Sequence, residues 1–291
     1  MIGPRDGMVV TGTLRSAKEH SLPHEVLSAG EVQRRFPAFN VPDDLVAVLD
    51  PRAGYLDPEA CNKAHLAGAA AAGAEIRFDE PILQWTPDGE GAEVTTSAGR
   101  YQADQILVSA GAWNRRIVHG VDLPLSIERQ SVFWFEPAVN VDRYDANQFP
   151  IYAYEFKPGT ICYGFPRLPR GVKASVMHDG QFVADPDSVD RSVSDSEAEP
   201  LRAALRPILP ELASATIREK GVCLFTNTPD HDFIIDFHPL YPQVLVSSPC
   251  SGHGFKFASA IGEVQADLLT RGESRFDFTP FRLARWPRGD A

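Results

Sequence analysis

Cysteine is scarce: Cys61, Cys162, Cys223 and Cys250 are scattered through 291 residues, and no two form a Cys-x-x-Cys pair. That excludes a disulfide framework and gives no reason to expect structural zinc or any other metal. Positive charge is in deficit, with 28 Lys and Arg against 39 Asp and Glu and a formal net charge of -11. A phosphate backbone needs clustered Lys and Arg, so no nucleic-acid partner is expected. No apolar run approaches the ~20 residues of a membrane-spanning helix. The opening "MIGPRDGMVV" lacks a basic stretch ahead of an apolar core. No membrane partner is expected, and a reducing, cytoplasmic location is. Internal repeats are missing too, and low complexity is confined to "AGAAAAGA" at 67–74.

What is present is an ordinary globular composition, 43% hydrophobic and 23% charged. The alanine-rich tract predicts a helix capped by Asp57, opened by Pro58 and left at Gly73. A strand, "AEIRF" at 74–78, is expected next. "AEVTTSAGRYQADQILVSAGAW" at 92–113 reads as two strands around a Ser-Ala-Gly turn, the second ending on Gly111. Helix, strands and glycine turn together point to an α/β nucleotide-binding layer.

The middle of the chain has another texture. "SIERQSVFWFEP", "FPIYAYEF", "TICYGFP" and "KASVMH" are short, aromatic and β-branched, which predicts a meandering antiparallel sheet. Residues 185–200 are acidic and read as a solvated loop with a helix start, and "PLRAALRPILPEL" as a helix broken by its prolines. Beyond "GVCLFTNT", "DFIIDF" and the strand "VLVSS", a last helix sets Phe257, Ile261, Val264 and Leu268 on one stripe and stops at Gly272. The expected fold class is α/β plus antiparallel β in two interleaved domains. Segments 50–118 and 226–291 make the α/β domain, and 1–49 and 119–225 the sheet domain, with a ligand in the seam.

"CSGHGFKF" at 250–257 joins that strand to that helix. It is not the dinucleotide pattern G-x-G-x-x-G, because Phe257 stands at the third glycine, and the pattern occurs nowhere else in the sequence. Gly252 and Gly254 let the backbone approach a flat ligand closely, and the first N–H groups of a helix offer positive potential. His253 and Lys256 add full charge. The arrangement suits an anion, or a ring that becomes anionic, such as a reduced isoalloxazine. A tight turn with a surface lysine and a hydrogen-bonded histidine is the plainer alternative. His231 and His238 flank a strand and read as turn and strand-end residues.

Together "SGHGFKFASAIGEV", "CLFTNTPDHDFIIDFHP", "YGFP" and "VSAGAWN" resemble the monomeric sarcosine oxidase and N-methyltryptophan oxidase group of the D-amino-acid-oxidase-like flavoproteins. The resemblance covers essentially the whole chain. It implies an FAD-dependent oxidase of N-methyl or other secondary amino acids, making an imine and reducing oxygen to hydrogen peroxide. It implies FAD tethered through Cys223, with Gly252, His253, Gly254, Phe255, Lys256, Gly111 and Trp113 around it. A thiolate adds readily to an electron-poor ring carbon, so a cysteine suits that role. A lone cysteine is otherwise a small buried hydrophobe, and Cys250 is the competing thiol. The resemblance makes Lys256 a grip on the substrate carboxylate, His253 a donor to the reduced ring, and Lys173 a promoter of oxygen reduction. Tyr163 and His178 fall on the substrate side.

Three departures stand out. His178 follows Lys173 by one residue more than the resemblance leads one to expect. Phe225 replaces a tyrosine, which hints at a substrate side chain larger or more apolar than sarcosine's. The chain also opens past the strand, glycine turn and helix that cradle the FAD pyrophosphate in this group. "MVVTG" and "LRSAKEHSLPHEVLSAGEVQRRFP" correspond to the later edge of the first α/β region and the helix after it, capped by Ser28 and Glu31. The expectation is a truncated chain that binds FAD poorly alone, is a catalytically inactive remnant or needs a separate FAD-binding segment, and self-associates through the exposed edge of an incomplete sheet.

Overall fold

A computed structural model describes residues 1–286, so residues 287–291 of the expected α/β domain lie outside the described residues. In chain order the strands are β1 (Ile2–Pro4), β2 (Glu25–Ser28), β3 (Leu45–Leu49), β4 (Ile82–Asp88), β5 (Gly91–Thr96), β6 (Arg100–Ala103), β7 (Ile106–Val108) and β8 (Ser126–Glu136). They continue as β9 (Tyr152–Lys157), β10 (Thr160–Leu168), β11 (Gly171–Val176), β12 (Gln181–Val183), β13 (Thr216–Asn227), β14 (Ile234–Phe237) and β15 (Val244–Ser248). The helices are α1 (Met8–Glu19), α2 (Ala29–Arg35), α3 (Pro58–Ala71), α4 (Asn114–Ile117), α5 (Glu199–Leu205), α6 (Pro210–Ala213) and α7 (Ala258–Arg271). This is the mixed α/β and antiparallel fold that the sequence predicts. No helix among the described residues is long and apolar enough to cross a membrane.

The chain divides into two compact units, the first made of Met1–Tyr55, Arg129–Gln181 and Asp190–Cys223. Its sheet runs β8-β11-β10-β9-β1-β3-β2, with β13 also paired to β8. One face buries Phe133, Phe135, Tyr152 and Tyr154 against Leu201, Leu205, Ile208 and Leu212 from α5, α6 and the turn between them. "YGFP" supplies the space this needs: a Cβ on Gly164 would lie 2.6 Å from the Tyr152 ring. "MVVTG" is helical, as the start of α1, despite its β-branched residues. Val10 packs on Val46 and Val48 of β3. The helix lacks a side-chain cap of its own, and buried Glu155 of β9 accepts the Val9 N–H at 2.9 Å in its place. The same carboxylate accepts the Gly159 N–H at 3.0 Å. Burial pushes the Glu155 carboxyl up, but these backbone donors outweigh it and hold the group below the usual carboxylate range.

Buried Arg129 closes the other side of this unit. Its guanidinium donates to Asp190 O at 2.6 Å, to Glu197 at 2.8 Å, to Ser131 Oγ at 3.2 Å and to Ser192 O. Glu197 also forms the expected helix start with Ser194, as a capping box.

The second unit comprises Leu56–Glu128, Phe182–Val189 and the chain from Leu224 onward. Its main sheet runs β14-β15-β7, with β15 antiparallel to β14 and parallel to β7. Alternate residues leave by opposite faces. Ile234, Val244 and Val246 join Trp85, Val118 and Leu123, while Ile235 and Leu245 meet Ile261, Val264 and Leu268 of α7. Burial on both faces is the usual state of a parallel α/β layer. Phe257 is the exception on the predicted stripe and stays 42% exposed.

Two expectations fail in this unit. Residues 74–78, "AEIRF", form no strand; the chain runs irregularly to β4, and Phe78 is 71% exposed. The expected second strand of 92–113 is two strands in different sheets: β6 completes the meander β4-β5-β6, and β7 pairs with β15. Helix α3 starts as read, with Asp57 accepting the Ala60 N–H at 2.9 Å, yet none of its residues is buried.

His238 is more than a strand-end residue. It is buried, accepts the Leu240 N–H on Nδ1 at 3.2 Å, and therefore donates from Nε2 to His119 O at 2.8 Å. Its ring stacks on Tyr241, and Trp85 stacks on His119. Burial depresses its pKa below the ordinary 6.5, the nearby His119 adds to this, and the bond to the His119 carbonyl opposes it. A histidine depressed in the folded state contributes stability above its unfolded pKa and loses it as pH falls through the folded value. The expected result is a stability that drops as pH falls below the ordinary 6.5, read by urea unfolding. His238→Gln should flatten that slope, and an unchanged slope would refute the assignment.

Candidate functional site

Three of the expected site residues share one face of the first unit's sheet. Tyr163 of β10 lies opposite Ser175 of β11 and Ala153 of β9, and Lys173 lies opposite Trp134 of β8. Side chains alternate between faces along a strand, so Lys173 and Ser175 point the same way. On β13, Gly221 leaves room for the Trp134 ring, 3.4 Å from where its Cβ would be, and Cys223 follows on that same face. Tyr163 and Phe165 meet edge to face at 6.1 Å. The Lys173 ammonium sits 5.5 Å from the Phe165 ring and 5.4 Å from the Trp134 ring, with no carboxylate partner among the described residues. Burial pushes the Tyr163 phenol up to about 12; Cys223 nearby reinforces the shift and a hydrogen bond with Ser175 opposes it.

Behind the phenol stands a polar network that the sequence did not announce. Fully buried Ser175 lies 2.8 Å from Ser131 O, Gln130 donates to it at 3.3 Å, and Asp179 N–H donates to Gln130 Oε1 at 3.2 Å. His178 occupies the turn just after β11 with a φ of 55°, a strained choice for a non-glycine residue.

In the second unit, two turns leave the carboxyl ends of the adjacent parallel strands β7 and β15, where open α/β sheets place their ligands. One carries Gly111, with a φ of 55°, and Trp113. The other is the 250–257 bend. Asn114, fully buried, fastens the first turn to β15: its Oδ1 accepts the Ala110 N–H at 2.8 Å and its Nδ2 donates to Ser247 O at 2.9 Å. The Trp113 indole N–H donates to Asp187 at 2.7 Å, and Arg116 holds the other oxygen of that carboxylate at 2.6 Å.

The bend is built by its glycines and by Ser251. Gly252 has a φ of 74°, and a Cβ on Gly254 would lie 1.7 Å from Pro249 O. Ser251 N–H donates to Thr226 O at 2.9 Å, and its hydroxyl donates to Asp232 O at 2.7 Å. His253 pairs through Nε2 with His231 O at 2.9 Å, which leaves Nδ1 as its second functional atom. Phe255 and Lys256 are exposed. At the foot of the bend, buried Asn227 donates to Glu128 at 2.8 Å while its Oδ1 has no partner among the described residues.

A flat heteroaromatic ring fits this unit's residues. An unpaired buried carbonyl oxygen is rare and calls for a donor such as a ring N–H. Side-chain-free glycines, the His253 Nδ1 and the Lys256 ammonium complete the rim. Among the thiols, burial pushes Cys162 up to about 12 and also raises Cys250, so neither is a ready thiolate. Cys223 is half-buried and stands beside Tyr163.

Comparison with known proteins agrees with this chemistry. Residues 7–268 match the family described as FAD dependent oxidoreductase. The chain is 38% identical over 294 residues to the monomeric sarcosine oxidase of Streptomyces avermitilis, covering 99% of this chain and 76% of that protein. It is 33% identical over 290 residues to an N-methyl-L-tryptophan oxidase of Escherichia coli, covering 98% and 75%. The fold is that of NikD, an unusual amino acid oxidase of nikkomycin biosynthesis, with a TM-score of 0.80 at 22% identity over 97% of this chain and 75% of NikD. The chain belongs to the FAD dependent oxidoreductase family.

Proposed function

We propose that this protein is an oxidase of N-methyl or other secondary amino acids that works with FAD and oxygen. The amine carbon–nitrogen bond loses two electrons and two protons in becoming an imine; oxygen takes them up as hydrogen peroxide, and water splits the imine into carbonyl product and amine. FAD, when bound, supplies the two-electron acceptor. Lys256 pairs with the substrate carboxylate and fixes its orientation. Tyr163, a neutral phenol that burial pushes up to about 12, donates a hydrogen bond on the substrate side. His178 borders the same side. Lys173 offers an ammonium to the negative charge that develops on oxygen. In the second unit Gly252, His253, Gly254, Phe255, Gly111 and Trp113 suit a flat ring, and Cys223 of the first unit is the thiol that would carry its tether. The observation that carries this reading is the single face shared by Cys223, Tyr163 and an ammonium that lacks a carboxylate partner among the described residues.

Acid precipitation tests the tether. The parent protein should keep yellow, fluorescent flavin in the denatured pellet, and Cys223→Ala should release it all. Flavin that stays in the Cys223→Ala pellet would refute the assignment of the sulfur. A second reading keeps these roles but makes FAD capture depend on a separate segment, and the lack of G-x-G-x-x-G in this sequence favours it. Titration of the purified chain with FAD separates the two: stoichiometric uptake supports the first and weak uptake the second.

A further inference from the structure

Tyr163 also borders a cavity of about 640 Å³ that lies within the first unit. Its walls come from the segment after β3, the approach to β9, and β10, and include Leu49, Tyr55, Phe149, Ile151, Ala153 and Phe165. Among the described residues the one charged side chain on the wall is Asp50, whose carboxylate already accepts the Arg52 N–H at 2.8 Å and lies 3.7 Å from its guanidinium. Met1 also lines the cavity, but its ammonium donates to Val48 O at 2.9 Å and burial lowers its pKa to about 6. A carboxylate entering the cavity would find no side-chain cation there. An apolar group would replace water against apolar walls, which is favourable.

The size decides what kind of group. Cavities of roughly 300–1,000 Å³ enclose ligands far larger than an amino acid without a side chain. N-methylglycine would leave most of this space to water. Ala153 sets the depth: it lies directly opposite Tyr163 on the neighbouring strand, so both side chains leave the sheet on the same face. Tyr152 and Tyr154, on either side of it, leave by the opposite face and join the core, where Tyr152 also borders the cavity. A larger residue at 153 would fill the cavity beside the Tyr163 phenol without disturbing that core.

We infer that the cavity receives a bulky apolar side chain of the amine substrate, and that Ala153 is the residue that admits it. The identity of the molecule rests on the oxidase reading above; the occupancy of the cavity by an apolar group does not. Phe36, Phe149, Ile151 and Phe165 make the apolar part of the wall, and Thr13, Asn147 and Gln148 add polar groups to the rest.

Two measurements on the full chain test this. In the first, N-methyl-L-phenylalanine and sarcosine are compared as substrates of the FAD-loaded parent and of Ala153→Leu. The parent should favour the aromatic amine by roughly 100-fold in kcat/KM, and the substitution should cut that ratio by about tenfold or more. In the second, indole binding is measured by calorimetry, with thermal unfolding as the check on folding. Binding to the parent that weakens about tenfold in Ala153→Leu and survives in Ala153→Ser supports the cavity. Should Ala153→Leu fail to fold, Ala153→Val carries both measurements. Oxidation of neither amine, with indole binding as expected, overturns the oxidase reading alone. Indole binding that is absent, or equal in the parent and the filled variant, overturns this inference.

Discussion

Replacing Gly254 by alanine is expected to destabilise the protein by about 3 kcal/mol or more, a larger effect than is usual for so small a change. The added Cβ would stand 1.7 Å from Pro249 O, 2.7 Å from its carbonyl carbon and 3.2 Å from Cys250 Cα. All three are backbone atoms, so no side chain can turn aside to make room. The conflict is one of space, since Gly254 has a φ of -74° that any residue accepts. Gly252 is the useful contrast: its φ of 74° makes a side chain strained, at a cost of roughly 1–2 kcal/mol. Urea unfolding of the two alanine variants should rank them in that order. A Gly254→Ala protein within about 0.5 kcal/mol of the parent would show that the bend is more yielding than its geometry implies.

The second large effect is expected at Arg129. Methionine there keeps much of the volume but removes the charge and the donors that hold Asp190, Ser192, Ser131 and Glu197. Breaking a buried ion pair costs about 3–5 kcal/mol when the surviving charge stays dry. The Glu197 side chain is 33% exposed, so water recovers part of that loss, and about 2–3 kcal/mol is expected.

The acid limb supplies an independent reading. Burial pushes Glu197 up, but hydrogen bonds from Ser131, Arg129 and the Ser194 backbone, with the Arg129 charge, outweigh it and hold the group at about 2 against an ordinary 4.5. A carboxyl depressed on folding stabilises the protein above pH 4.5 and loses that contribution as pH falls toward about 2. Arg129→Met should therefore be less stable at neutral pH and show a shallower loss below pH 4.5 than the parent. Parallel pH curves for the two proteins would refute the account.

Local chemistry was legible in the sequence wherever a few neighbouring residues settle the outcome. The Ser28–Glu31 capping box, the Asp57 cap and the stop at Gly272 are all present as read. So are the glycine doublet and the helix that follows it. The failures occur where a distant partner decides. "AEIRF" has a strand's composition but no neighbouring strand to pair with, and "MVVTG" becomes helical because Glu155, far along the chain, caps it. The split between β6 and β7 depends on β15 being available as a parallel partner.

The site divides in the same way. Gly252 and Gly254 announce a tight bend, since a positive φ and a close approach to Pro249 O both call for glycine. Asn114, Ser175 and Asn227 do not, because a single Asn or Ser carries no mark of burial until the fold closes over it. The one available signal was the Asn that follows "AGAW", at the start of a short helix.

Helix α3 is wetted along its whole length, and that sets how firmly it is held. A segment of this length with no buried residue, and a His65 contact to Ser259 at 3.3 Å as its side-chain tie, is marginal in water, because the cost of nucleating the first turn is recovered only slowly by later ones. Alanine favours the helical state, but Gly68 in its interior takes back about 1 kcal/mol. Its amides should consequently exchange with solvent by local fraying long before β15 opens, making this the first stretch of the second unit to melt.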